Sequence, residues 1–309
     1  MGNARILQSL IEVMKVKKLA AIDIGSNAIR ILIANVVQEV GEHPVYMKSE
    51  MIRVPIRLGQ DSFTVGEISK KNMKRVVKAM KAFRLIMKVN GVKHYMAFAT
   101  SALRESNNAD ELVALVKKKA KIKIEVIDGR KEAEIISNTT ILNDFGQNLN
   151  YLYVDVGGGS TEFSVLQGGK RIVSKSFKTG TVRMINNMVN EKVWLEIEKW
   201  IQTHTAGIEK IALLGSGGNI NKVFKLSNTK EGKPLTYIKI NTFYQDLKKL
   251  TYEQRILKYN LNFDRADVIL PALEIYLKAL KWSGASKVFV PKIGLADGMI
   301  KMMYKKFNA

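Results

Sequence analysis

Ala20-Ala21-Ile22-Asp23-Ile24-Gly25-Ser26-Asn27 and Tyr153-Val154-Asp155-Val156-Gly157-Gly158-Gly159-Ser160-Thr161-Glu162 are built alike. Each is an apolar run of strand length with an acid inside it, followed by glycine and small hydroxyl or amide residues at a turn. Missing side chains let backbone N–H groups approach phosphate oxygens, and a carboxylate at the strand end is placed to hold a cation. One such loop is weak evidence. Two, with Asp23 and Asp155 lying 132 residues apart in a chain of 309, predict related half-domains facing each other across a phosphate-binding cleft.

The rest of the chain is compatible with that expectation. At 46% hydrophobic residues it is long enough for two ordinary cores. It has no cysteine, which excludes disulfides, thiolate nucleophiles and cysteine-based zinc sites and fits a reducing compartment. No apolar run approaches the roughly 18 residues that a membrane span needs. Residues 1–18 show no cleavable signal pattern, and Ile6 spoils a myristoylation pattern after Gly2. A cytoplasmic protein without a membrane partner is expected. Fifty Lys and Arg against 28 Asp and Glu give a formal charge of +22. Such a field concentrates polyanions and speeds their encounter. Polyphosphate, a highly phosphorylated nucleotide and nucleic acid all fit the charge, as does a generally lysine-rich proteome. No helix-turn-helix, zinc or RNA-recognition signature supports a specific nucleic-acid partner.

Residues 19–24 and 28–37 read as a hairpin around Gly25-Ser26-Asn27, with further strand over 45–56. A helix follows at 67–89, where Met73, Val76, Val77, Met80, Phe83 and Met87 recur at helical spacing. A strand at 95–99, a helix at 109–119 and a strand at 122–127 complete the first half. The second half repeats this order: a helix at 132–145, a hairpin at 151–156 and 161–167, and a strand at 171–177. A helix at 192–204 then leads to a strand at 211–214 and a third glycine loop, Gly215-Ser216-Gly217-Gly218-Asn219. Helices are expected at 244–259, 266–282 and 299–307. Strands first, then alternation with helices, is an α/β pattern.

Five segments give the chain a specific resemblance. They are Asp23-Ile24-Gly25-Ser26-Asn27 with Arg30, Ala99-Thr100-Ser101-Ala102-Leu103-Arg104 with Asn108, Ile127-Asp128-Gly129-Arg130-Lys131-Glu132-Ala133, residues 155–162, and Gly180-Thr181-Val182-Arg183. Together they resemble the exopolyphosphatase and guanosine-pentaphosphate phosphohydrolase (Ppx/GppA) family, in its short two-domain form, within the superfamily of actin, sugar kinases and heat-shock chaperone ATPases. The resemblance implies two ribonuclease-H-like domains, 1–128 and 129–309, with an interdomain cleft and a final helix (299–309) that packs back on the first domain. It assigns Glu132 as the carboxylate that activates the attacking water. Asp155 and Glu162 bracket their glycine turn and, with Asp23, suit Mg²⁺ or another divalent cation such as Mn²⁺. Ser26, Asn27, Gly157, Gly158, Gly159, Ser160 and Thr161 are expected to cradle phosphate, with Gly217 and Gly218 as weaker candidates. Arg30 and Arg104 are expected to clamp it.

Lysines 71, 74, 78, 81 and 88 lie along one face of the helix at 67–89 and read as a solvated face or as a polyanion track; lysines 117–119, 121 and 123 are equally ambiguous. His43, His94 and His204 show no ligand or triad spacing. The chain also departs from the family pattern. Asp128 stands where Ser is usual, Lys131 where a second Glu is common, Ala28 where Ser is frequent, and Ala296 where Arg is usual. The reading is a Mg²⁺-dependent exopolyphosphatase releasing terminal orthophosphate from inorganic polyphosphate. Three alternatives stand beside it: a pppGpp 5′-phosphohydrolase, a non-catalytic polyphosphate or alarmone sensor motivated by Asp128 and Ala296, and a small-molecule kinase. Homodimer formation is left open.

Overall fold

Strand β1 (Met14–Ile24) pairs antiparallel with β2 (Ile29–Glu39), setting Asp23 opposite Arg30. Strand β6 (Asn150–Val156) pairs in the same way with β7 (Thr161–Gln167), setting Asp155 opposite Glu162. The two turns close alike. Gly25 N–H donates to the Ala28 carbonyl at 3.1 Å and Gly157 N–H to the Ser160 carbonyl at 3.0 Å. The fold is that of a computed structural model, which describes residues 14–39, 41–137 and 150–308.

The repeat extends to whole sheets. The first runs β3-β2-β1-β4-β5, with β3 at Val45–Val54, β4 at His94–Ala99 and β5 at Glu125–Val126. The second runs β10-β11-β9-β6-β7-β8, with β8 at Lys170–Phe177, β9 at Ile211–Ser216, β10 at Leu235–Thr236 and β11 at Lys287–Phe289. Apart from the edge strand β10, the orders correspond strand for strand. In each, the central strand carries the acid and is flanked by its hairpin partner and by a parallel strand.

Both sheets are covered on both faces, so their central strands are apolar almost throughout. On the outer face of the first sheet, Ala20, Ile22, Ile24, Ile29, Ile31 and Ile33 pack with helices α2 (Lys70–Val89) and α4 (Ala109–Ala120). The other row, Leu19 and Ala21, joins Tyr151 and Tyr153 of the second sheet in a shared middle layer. Helices α5 (Gly129–Ser137) and α12 (Leu295–Asn308) fill that layer through Ile135, Ile136, Met299, Ile300 and Met303. Side chains alternate with period two, so the next members of the middle-layer rows are Asp23 and Asp155. The same alternation that buries Leu19 and Tyr151 therefore aims both acids into the gap between the sheets.

Several elements differ from the sequence expectation. The strand expected at 122–127 pairs with β4 only at Glu125 and Val126, although Ile122, Ile124 and Ile127 are all buried. The helix expected at 244–259 is two helices, α9 (Tyr237–Lys249) and α10 (Tyr252–Tyr259). Thr251 starts the second: its hydroxyl accepts from Gln254 N–H while Gln254 Oε1 accepts from Thr251 N–H. Helix α1 (Leu58–Val65), with Leu58 and Phe63 buried, was not expected. The helix expected at 132–145 starts at Gly129, and its part beyond 137 lies outside the described residues, as do the expectations for residues 1–13. Helix α12 begins at Leu295 rather than 299 and lies against β1, β2, β4 and α5.

Candidate active site

Both glycine turns, the first turn of α5 and the start of helix α8 (Gly218–Leu226) border one cavity of about 290 Å³. Asp23, Glu132, Asp155 and Glu162 all line it. Asp155 and Glu162 meet there as a cross-strand pair. Glu132 arrives from α5, whose start is fixed by Asp128. The Asp128 carboxylate accepts from Lys131 N–H at 2.7 Å, and its carbonyl accepts from Glu132 N–H at 3.0 Å. Asp128 is thus the cap of the helix that carries Glu132. Lys131, the other departure in this segment, pairs with Glu125 and lies over the Phe98 ring.

Four carboxyl groups in one confined space repel one another. Burial raises the Glu132 carboxyl well above its ordinary range, followed by the charges of Glu162, Asp155 and Asp23, while Arg104 opposes the shift. Burial and then Glu162 raise Asp155 to about 7, against Arg30. Asp23 is raised by burial and held down by Arg30, whose guanidinium stands 3.8 Å away. Glu162 is raised by burial but relieved by the hydroxyls of Ser160 and Ser176, which donate to its Oε1 at 2.7 and 2.8 Å. Glu132 Oε2 is buried with no hydrogen-bond partner. A buried acceptor left bare costs on the order of 1–3 kcal/mol, a burden that a bound water or cation would lift.

The expected phosphate donors divide into two groups. Ser26, Asn27, Arg30, Gly157, Gly158, Ser160, Gly217 and Gly218 line the cavity. Carbonyls of the second turn are held from behind: Gly157 O accepts from Thr181 N–H and Gly158 O from Val182 N–H, both in helix α6 (Thr181–Ile185). Among the described residues the N–H groups of Gly158 and Gly159 meet no acceptor. The two turns touch, since a Cβ on Gly158 would stand 2.9 Å from Ser26 Cβ. Gly217 has φ +114, and a Cβ there would meet the Val156 carbonyl at 2.9 Å, so only glycine gives this approach.

Arg104, Gly159 and Thr161 are not among the lining residues. Arg104 donates to the Ile127 carbonyl at 2.8 Å, bracing the strand end that leads into α5. The Thr161 hydroxyl is committed to the Thr179 carbonyl at 2.5 Å. The Gly159 carbonyl accepts from Arg183 Nε at 2.7 Å, and Arg183 pairs with Glu105 and lies over the Phe63 ring. Ser26 is buried with its hydroxyl on Ser101, and Asn27 Nδ2 reaches across to the Asp264 carbonyl at 3.2 Å.

The acids suit a hard divalent cation. Their charge is only partly offset by Arg30 and Arg104, Glu132 has a bare oxygen, and all the donors are oxygens. Among the described residues, however, no three carboxylate or imidazole side chains form a ready-made shell. A cation here would take one or two carboxylates and complete its sphere from phosphate and water, which is how Mg²⁺ is usually held.

Sequence reading missed one wall of the cavity. Arg265 lines it, beside Lys292, Asn219 and Asn221. Burial, followed by the charges of Arg53 and Arg30, lowers the Arg265 guanidinium to about 10. Its neighbours Asp264 and Asp267 pair with Arg53 and Arg57 of the first half. Segment 264–267 has no glycine signature, and its partners lie more than 200 residues away in the chain.

Comparisons with known proteins agree with this geometry. The profile of the Ppx/GppA phosphatase family matches residues 35–307. A bifunctional 3-dehydroquinate synthase/phosphatase of Fusobacterium nucleatum is 31% identical over 220 residues, covering 64% of this chain and 32% of that protein. Exopolyphosphatase 1 of Mycobacterium leprae is 26% identical over 198 residues, covering 64% of this chain and 53% of that one. The chain therefore spans about half or less of the length of these curated relatives. The crystal structure of an exopolyphosphatase from Cytophaga hutchinsonii superposes with a TM-score of 0.77 at 23% identity, covering 94% of this chain and 98% of that one. That likeness establishes the fold as the two-domain actin-like one.

Proposed function

Because the chain belongs to the Ppx/GppA phosphatase family, we propose that it removes the terminal phosphoryl group of inorganic polyphosphate by hydrolysis. The observation that carries this reading is the bare Oε2 of Glu132, buried at the cleft where the two glycine turns meet. Glu132 takes a proton from the attacking water. The water oxygen forms a bond to the terminal phosphorus as the bridging P–O bond breaks, and the shortened chain leaves on the bridging oxygen. A base whose proton affinity lies well above that of an ordinary carboxylate is better matched to this task near neutral pH. Backbone N–H groups of the second turn and the Arg30 guanidinium stabilise the equatorial oxygens. Mg²⁺ or Mn²⁺, held by Asp155 and Glu162 with Asp23 beside them, would neutralise the charge on the transferred group.

Glu132→Gln keeps the shape of the site and removes the base. The expected result is retained polyphosphate binding with phosphate release lowered by at least about 100-fold. Wild-type rates in this variant refute the role. One feature favours a second substrate: Leu32, Met51, Ile293 and Leu295 give the cavity an apolar side that a bare polyphosphate does not use. A nucleoside would, so pppGpp stands as the alternative. Release rates from polyphosphate, tripolyphosphate, pppGpp and ATP, with and without Mg²⁺, decide between them.

We further take 1–128 and 129–309 as the two domains, supported by the end of the first sheet at Val126, with α12 returning to the first. A cytoplasmic location is part of the same proposal. No helix of the described residues is long and apolar enough to cross a membrane.

A further inference from the structure

Helix α2 has Lys or Arg at eight of its 20 positions and no Asp or Glu. Met80, Phe83 and Met87 point into the core of the first half, which leaves Lys81, Arg84 and Lys88 on the opposite, exposed face. Helix α4 ends in Lys117-Lys118-Lys119-Ala120 and is followed by Lys121, while its only acids, Asp110 and Glu111, are in its first turn. The two helices pack together, and Arg84 Nη1 donates to the Lys121 carbonyl at 3.1 Å, so their C-terminal ends form one surface. Among the described residues, none of these cations has a carboxylate within ion-pair distance. Two aliphatic side chains stand in their midst: Leu85 is 64% exposed and Val89 87%, one turn apart on the face that carries Lys81 and Lys88. Neither helix lines the cavity, and both cover the outer side of the first sheet, so a partner resting there does not cover the four acids.

Like charges this close repel one another, and an anionic surface would relieve them. A dense cationic face with exposed aliphatic tips is complementary to an anionic bilayer: lipid phosphates take the lysines, and the tips enter the layer beneath. We propose that the C-terminal halves of α2 and α4 dock the protein on an anionic lipid surface, with Leu85 and Val89 inserted among the headgroups. Nucleic acid shares the phosphate chemistry, but these two side chains offer no ring for base stacking and gain nothing from a sugar-phosphate backbone. Docking of this kind is peripheral. It needs no spanning helix and is compatible with a cytoplasmic location. It departs from the expectation of no membrane partner, which rested on the lack of an apolar run long enough to span. The face works independently of which substrate the cleft takes.

The test is co-sedimentation of the full chain with mixed phosphatidylglycerol–phosphatidylcholine vesicles and with vesicles of phosphatidylcholine alone, beside binding of double-stranded DNA. Wild type should partition onto the anionic vesicles and not onto the neutral ones. Each lysine near such a surface strengthens partitioning about fivefold. Lys88→Gln/Lys118→Gln/Lys119→Gln should therefore lower it at least about tenfold, and Lys88→Arg/Lys118→Arg/Lys119→Arg should keep it. Leu85→Ser/Val89→Ser leaves every charge in place; it should weaken vesicle binding severalfold with DNA binding unchanged. A charge-matched variant on exposed lysines of the second half, Lys192→Gln/Lys199→Gln/Lys249→Gln, should stay within about twofold of wild type on vesicles. No preference for anionic vesicles, or an equal loss in the second-half variant, would reduce the effect to net charge and overturn the docking face. So would a serine variant that binds vesicles like wild type while the glutamine variant loses DNA, which would assign the face to nucleic acid. All the substituted side chains are exposed, so an unchanged melting temperature separates lost binding from lost fold.

Discussion

Asp155 shows what the site costs the fold. Its carboxyl titrates near 7 in the folded protein against an ordinary value of 3.8, chiefly because it is buried and next to Glu162. Between about pH 4 and 7 the unfolded chain has released this proton and the folded protein has not. Stability therefore falls as pH rises through that window, and the whole cost is in place above pH 7. Its upper bound is on the order of 4 kcal/mol, shared among four carboxyls that titrate together. With divalent cations chelated, the melting temperature should drop from pH 5 to pH 8. Asp155→Asn should flatten that drop and, at pH 8, melt several degrees above wild type while losing activity. A variant no more stable than wild type at pH 8 contradicts this account. The acids themselves were legible in the sequence because period-two alternation and the glycine turns leave each only one direction to face. Arg265 was not legible: nothing near it in the chain signals a ligand, and its neighbours Arg30 and Arg53 come from the other half.

Helix α5 links the base to the sheet, and its cap is one of the family departures. Asp128 stands four residues before the base, where Ser is usual. The structure turns that carboxylate onto Lys131 N–H, at the third residue of the helix. Ser caps a helix nearly as well as Asp, and Ala does not. Asp128→Ser should hold stability and rate close to wild type. Asp128→Ala should cost about 1 kcal/mol and lower kcat more than it raises KM, because the turn that frays carries Glu132. Comparable kcat in the Ala variant would mean that Glu132 is positioned by Arg104 and the packing of Ile135 and Ile136 alone. Thr251-Tyr252-Glu253-Gln254 is a capping box in plain sequence, and it divides what periodicity read as one helix. Helix α1 is different, since its burial comes from long-range packing against α3 (Ser101–Arg104) and α6.

The two halves are joined at the mouth of the cleft by a short strap. Arg53 and Arg57 of the first half pair with Asp264 and Asp267 of the second, and Asn27 Nδ2 reaches the Asp264 carbonyl. These pairs are only partly exposed, with Asp264 at 10% and Asp267 at 25%, so solvent screens them less than a surface pair. They sit on either side of Arg265, and the contact that holds the halves together also orients a cation toward the cavity. Duplication of the hairpins could be read from one sequence; this strap could not, because it joins residues more than 200 positions apart with no local signal at Asp264 or Asp267. If it stabilises the closed cleft, removing it lowers the fraction of molecules ready to bind, and apparent affinity falls by that fraction. A loss of about 1.4 kcal/mol shifts the closed-to-open ratio tenfold. Arg57→Met and Asp267→Asn should each raise KM for tripolyphosphate severalfold with kcat within about twofold. The double variant should be no worse than either single, since one interaction is lost once. Additive effects, or a fall in kcat at constant KM, would show that Arg57 and Asp267 act separately on the chemistry rather than together on closure.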